Sequence, residues 1–301
     1  MVLRLTRSNF GPLAPYLLDL AAAFQAHDLP LLLVGGSGLL LRRQRRLEEG
    51  VVTLINAVPP LRTTDDFDLL LRLEVLADAE QRLAIRQVLA ALGYQTHAQN
   101  FQFIRPGSGD TALGRREVKV DFLAPLPGTD MPDLKVSSHR VGAKHSGGGE
   151  SLHGYATPEA LLTDAPPLRL MVEGAGTDGT EQQGEVLMPH PFTLIVMKLH
   201  AFRDSHLGNE RHPDRRPELA RKHVADVYSL VALLTQEEEQ TLGTLGQRYG
   251  DQPATQEAAS IIRALLSSPN APGTLVLRET LSIDPKDLQT FLEVLESTFT
   301  S

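Results

Sequence analysis

Arg62-Thr-Thr-Asp-Asp-Phe-Asp-Leu-Leu-Leu-Arg72 enters as a polar turn and ends as an apolar strand. Side chains alternate along a strand, so Asp66 and Asp68 point one way while Phe67 and Leu69 point the other. Two carboxylates at that spacing repel. They are tolerated where solvent separates them or where a hard, oxygen-seeking cation such as Mg²⁺ bridges them. A surface turn with solvated acids and a cation site are the two readings that this stretch allows.

The flanking sequence favours the second. Upstream, Leu31-Leu-Leu-Val-Gly-Gly-Ser-Gly38 is a continuously apolar run, of the kind buried on both faces of a sheet, that meets a Gly-rich turn and then an apolar, Arg-bearing helical stretch. The free N–H groups of such a helix are aimed back at the turn, where a phosphate can be held. Gly-Gly-Ser-Gly lacks the Gly-x-Gly-x-x-Gly spacing of a dinucleotide site, and no lone acid about 20 residues on fits the ribose role. Downstream, Arg116-Glu-Val-Lys-Val-Asp-Phe-Leu123 reads as another strand, with Asp121 set between apolar neighbours. A carboxylate there either serves a site or costs stability.

A strand, a Gly-Ser turn, a strand bearing Asp-x-Asp and a later strand bearing a third acid together resemble the nucleotidyltransferase superfamily. The matching positions are Gly36 and Ser37, Asp66 with Asp68, and Asp121. A second block, Lys198 in a helix after the core and Arg221-Lys222-His-Val-Ala-Asp226 in the next, makes the chain most similar to the AbiEii-type toxins of type IV toxin–antitoxin systems. The resemblance covers roughly residues 30–235. It implies an α/β fold, a nucleotidyltransferase-type mixed sheet with flanking helices in residues 1–188, followed by a C-terminal helical bundle in residues 189–301.

The activity implied is Mg²⁺-dependent transfer of a nucleoside monophosphate from an NTP, ATP among them, to an acceptor, with release of pyrophosphate. Asp66, Asp68 and Asp121 would hold two Mg²⁺ ions, with Mn²⁺ as a substitute. Gly36 and Ser37 would cradle the β- and γ-phosphates, Lys198 would add positive charge there, and Lys222 and Asp226 would fix that lysine or the base and ribose edge. In toxin relatives the acceptor is tRNA or protein, and a cognate antitoxin is the expected partner. Two other readings are a small-molecule nucleotidyltransferase of the aminoglycoside-modifying kind and a nucleotide-binding module without catalysis. The chain departs from the family in the length of residues 42–62 and in carrying His223 where an Asp usually follows the Lys.

Composition sets the outer bounds. The chain has 301 residues, 42% of them hydrophobic, enough for a core and most simply for two domains. With no Cys, it has no disulfide, zinc–thiolate site or thiol nucleophile, a composition that suits a reducing cytoplasm. The N-terminus lacks an apolar signal region and no run is long enough to span a bilayer, so no membrane association is expected. A net charge of −8 argues against a surface that binds nucleic acid nonspecifically, although Arg42 to Arg46 and Arg211 to His223 are locally basic. Those two runs are either solvated faces or part of a groove for triphosphate or RNA.

Periodicity supplies the rest. Residues 14–28 read as an amphipathic helix stopped by Pro30, residues 51–58 as an added strand, and residues 74–92 as one helix ended by Gly93. Strands follow at 94–96, 101–105 and 117–123, with short candidates at 168–172 and 185–188 in a Pro- and Gly-rich stretch. Ser146 to Glu150 reads as a loop, and His139, His145 and His153 are too irregularly spaced for a zinc pair on a helix. Pro191 opens a helix that is apolar nearly all round except at Lys198, which must snorkel out or meet buried negative charge. In the helix at 217–234 the stripe Leu219, His223, Asp226, Leu230 and Leu234 places Asp226 toward the core, where Lys198 or Lys222 is a candidate partner. Residues 251–268 and 284–297 read as further helices.

Overall fold

The computed structural model describes residues 1–55, 64, 66–97, 100–107, 117–144, 151–208 and 214–300. The chain divides into two compact units. The first comprises Met1–Glu48, Arg62–Ala160 and Pro166–Pro189, and the second Glu49–Leu61, Leu161–Ala165 and His190–Ser301. No helix among the described residues is long and apolar enough to cross a membrane.

The first unit is α/β. In chain order it contains β1 (Val2–Arg4), α1 (Ala14–Ala26), β2 (Leu33–Val34), α2 (Gly35–Glu49), β3 (Asp66–Leu70), α3 (Leu73–Ala77), α4 (Ala79–Ala91), β4 (Gln95–Thr96), β5 (Gln102–Pro106) and β6 (Glu117–Ala124). Then come β7 (Leu134–Ser137), β8 (Arg140–Ala143), β9 (Gly154–Ala156), β10 (Leu168–Ala175) and β11 (Glu181–Met188). The larger, mixed sheet runs β2-β3-β6-β9-β8-β7, with β5 also paired to β6 and β4 to β5. A smaller sheet runs β1-β10-β11. The two meet where Leu187 N–H donates to Leu31 O at 2.8 Å.

Alternation along the central strands decides what is buried. Phe67 and Leu69 of β3, Val118, Val120 and Phe122 of β6, and Phe103 of β5 enter one hydrophobic core, in which the Phe103 and Phe122 rings meet edge to face with centroids 5.7 Å apart. Each such side chain, fully withdrawn from water, stabilises by about 1.5–3 kcal/mol. The apolar face of α1, formed by Leu17, Leu18, Ala21 and Phe24, lies on β10 and β11. Gly184 makes that approach feasible, because a Cβ there would overlap the backbone of Ala21.

The structure differs from the sequence reading at several points. The stretch at 74–92 is two helices, because Asp78 is extended (φ −83°, ψ 117°) and its carboxylate accepts from the N–H groups of Glu80 and Gln81, capping a new helix. Leu83 consequently lies 39% exposed, off the buried face. The candidates at 168–172 and 185–188 are parts of two eight-residue strands paired as a hairpin. Missed altogether is the β7–β8 hairpin, whose turn residues Ser138 and His139 both have positive φ (48° and 64°). That backbone ordinarily calls for Asn-Gly, so Ser-His gave no turn signal. Residues 51–55 form no strand, while residues 56–58, Arg62, Asp65, His145 to Glu150 and Arg211 to Pro213 lie outside the described residues.

The second unit is helical, with α5 (Pro191–Leu207), α6 (Pro217–Ala232), α7 (Gln236–Tyr249), α8 (Pro253–Leu265), α9 (Pro272–Thr280) and α10 (Pro285–Phe299). Each of α5, α6, α8, α9 and α10 begins on a proline, where a missing N–H costs nothing. At α7 a Thr235–Glu238 capping box does that work instead. Two segments far away in sequence join these helices: Leu54 N–H donates to Leu234 O at 2.8 Å, and Thr193 Oγ1–H donates to Leu161 O at 2.6 Å. A boundary at residue 188 did not include them, since only the folded chain brings residues 49–55 and 161–165 to helices beyond 190.

Candidate functional site

The parallel pairing of β3 with β6 places Asp68 opposite Asp121 and Asp66 opposite Lys119. Antiparallel pairing of β5 with β6 adds Gln102 beside Asp121 and Ile104 beside Lys119. Two cross-strand rows result, Asp68-Asp121-Gln102 and Asp66-Lys119-Ile104, with neighbouring strands about 4.8 Å apart. Because the intervening residues Phe67, Phe103, Val118, Val120 and Phe122 are in the core, both rows lie on the opposite, more exposed face of the sheet. His97 extends this face, its N–H donating to Gln102 O at 2.9 Å.

Each acid is held differently. The Thr64 hydroxyl donates to Asp66 Oδ1. Gln102 Nε2–H donates to Asp121 Oδ1 at 2.7 Å. Burial pushes the Asp121 carboxyl above the ordinary aspartate value, the Gln102 hydrogen bond opposes this, the charge of Asp66 reinforces it, and Lys119 and His97 oppose it. Asp68 lies against Gly35, the first residue of α2, so the carboxylate sits at the positive end of that helix.

Gly-Gly-Ser-Gly is therefore not a turn ahead of a helix but the first turn of α2 itself, with the change of direction confined to Gly35 (φ 66°). Ser37 is fully buried, and its hydroxyl donates to the Asp66 carbonyl at 2.8 Å. Its side chain thus ties the helix to β3, and of the first turn only the backbone of Gly35 and Gly36 is partly accessible to a ligand. Gly38 runs close to the Leu33 carbonyl, 3.1 Å from where a Cβ would stand. Arg42 and Arg46, read as a solvated face or a groove, are instead buried on α2.

Gly35 can be tested directly. Gly35→Ala imposes the left-handed penalty of about 1–2 kcal/mol and also drives a methyl into the Asp68 carboxylate. Gly50 has a similar φ of 61° but open space around it, so Gly50→Ala should lose only the conformational part. Urea denaturation should show the larger loss for Gly35→Ala, and equal losses would mean that the Asp68 contact carries no weight.

The donor set suits a hard divalent cation: Asp66, Asp68 and Asp121 offer carboxylate oxygens only, and no thiol exists in the chain. As placed, no group of three or more His, Asp or Glu side chains among the described residues is drawn tightly enough to hold an ion. The elevation of Asp121, caused first by burial and reinforced by the Asp66 charge, is an imbalance that a cation would relieve.

Lys198, Lys222 and Asp226 belong to the second unit. Lys198 does not snorkel out: its Nζ–H donates to Asp226 Oδ2 at 2.7 Å, with the side chains 13% and 7% exposed. Asp226 is core-facing as its place in the α6 stripe required, and Lys222 lies half-buried one turn before it.

Reading the sequence missed Thr64, Gln102, Lys119 and His97. Lys119 carried a usable signal, since it stands two residues before Asp121 and so shares its strand face. Gln102 carried none, because its place beside Asp121 depends on the β5–β6 register. Compared with models of known protein families and with curated protein sequences, the chain matches none.

Proposed function

We propose that the first unit binds an NTP with Mg²⁺ and transfers its nucleoside monophosphate to an acceptor hydroxyl or phosphate, releasing pyrophosphate. One observation carries this reading: Asp66, Asp68 and Asp121 share the polar face of two paired strands, with Asp68 at the N-terminus of α2. A sheet that needed only solvated surface polarity has no use for a half-buried acid whose charge is disfavoured by burial and then by a second acid.

Mg²⁺ held by Asp66, Asp68 and Asp121 would supply charge neutralisation on the phosphoryl oxygens and a more acidic acceptor hydroxyl. The acceptor oxygen forms a bond to the α-phosphorus as the bond to pyrophosphate breaks, and its proton passes to Asp121, whose Oδ1 is already engaged by Gln102. The half-buried backbone N–H of Gly36 binds a phosphate oxygen at the start of α2, and the buried Ser37 supports that turn from beneath. Thr64 holds Asp66 in place, and Ser37 locks the helix to the strand that bears it. A protein or tRNA acceptor, as in toxins that pair with an antitoxin, is the accompanying expectation.

The reading predicts that an NTP with Mg²⁺ raises the melting temperature, since a ligand that binds only the folded state stabilises it by about 2.7 kcal/mol at a hundred times its Kd. Differential scanning fluorimetry with each of the four NTPs at millimolar concentration checks this. No shift with any of them would overturn the assignment.

A further inference from the structure

The geometry points to Lys119 as the residue that binds the phosphate tail of the nucleotide, acting beside the cation rather than as a counter-ion to the acids. This inference rests on the nucleotide reading and gives a new residue a role in it. Lys119 is the cross-strand neighbour of Asp66 and stands two residues before Asp121 on the same face of β6. With strands about 4.8 Å apart and a rise of about 3.3 Å per residue, Asp66, Asp68, Lys119 and Asp121 mark the corners of a rectangle of backbone roughly 5 by 7 Å. A lysine stem is long enough to carry its ammonium beyond the short aspartate side chains, to the height at which a ligand lying over them would sit.

Its environment leaves the ammonium available. Lys119 is exposed, and among the described residues it forms no ion pair, although Asp66 and Asp121 flank it. Arg105, the neighbouring cation on β5, belongs to the other face, where it is paired with Asp19 at 3.2 Å and hydrogen-bonded to Thr177 at 2.9 Å. Ile104, on the other side of Lys119, is an apolar wall that accepts no hydrogen bond and so does not compete for the ammonium. A lysine that merely balanced the acids would close onto one of them. Lys119 stands open beside a cluster whose cation would bring a polyanion with it, and a triphosphate needs positive charge on both sides.

The two roles give opposite signs in one experiment. With the full chain, MnCl₂ alone and then each NTP with Mg²⁺ are titrated calorimetrically into wild type, Lys119→Gln and Lys119→Arg. Removing a positive charge beside three acids should leave Mn²⁺ binding unchanged or tighter in Lys119→Gln, while NTP binding weakens on the order of tenfold or more. Lys119→Arg, which keeps the charge, should recover most of the NTP affinity. Lys119→Gln binding NTP as tightly as wild type, or more tightly, overturns the role of Lys119 and leaves the nucleotide reading standing. A wild type that binds no NTP overturns both.

Discussion

Asp68→Asn should lower nucleotide transfer on the order of 10³-fold or more and leave the fold intact, the pattern expected when a group that acts at the reacting centre is removed. The substitution keeps the shape of the side chain that lies against Gly35, so the start of α2 and its junction with β3 are undisturbed. It withdraws the negative charge from a face on which Asp121 stands directly across from Asp68. Less repulsion remains without a cation, offset by the lost attraction to the start of α2, so the melting temperature should change little when divalent ions are chelated. Transfer of a radiolabelled nucleoside monophosphate, with matching circular dichroism spectra, is the measurement. Equal rates for the two proteins would remove the acidic face from catalysis.

The second large effect is expected in the helical unit. Lys198→Met should destabilise the helical unit by on the order of 3 kcal/mol, because it removes the ammonium that donates to the buried Asp226 carboxylate at 2.7 Å. Lys198→Met combined with Asp226→Leu removes both charges and should recover most of that loss, since a buried pair replaced by apolar groups is often neutral. Denaturant unfolding of the singles and the double checks this. Additive losses would show that the residues act separately. The folded double variant also tests the role that the family resemblance gives Lys198, for unchanged NTP affinity would exclude it from nucleotide binding.

Much of the candidate site was legible because strand alternation is a local rule. Asp66 and Asp68 two residues apart, and Asp121 between Val120 and Phe122, reveal a polar face and a core face with no knowledge of neighbours. The stripe on α6 likewise placed Asp226 inward from spacing alone, where it is 5% exposed. Local backbone choices were less legible. Asp78 reads equally well as an exposed helix residue and as the cap that it is, because its φ and ψ are set by how α3 and α4 each pack. The Ser138–His139 turn shows the same competition, with a strained backbone held by the β7–β8 ladder on either side of it.

By itself the sequence determined the succession of α/β elements and then helices, the two-faced character of β3 and β6, and the need of Lys198 for a negative partner or an exit to water. These follow from periodicity and from the cost of burying charge, both of which act along a single element. Only the tertiary structure decided that β6 lies parallel to β3 in the register that sets Asp121 beside Asp68 and Lys119 beside Asp66. It alone gave Ser37 to a backbone carbonyl, Gln102 to Asp121 and Asp226 to Lys198. Each of these choices is made between segments distant in sequence, where shape, register and the satisfaction of buried polar groups select among partners that composition leaves equivalent.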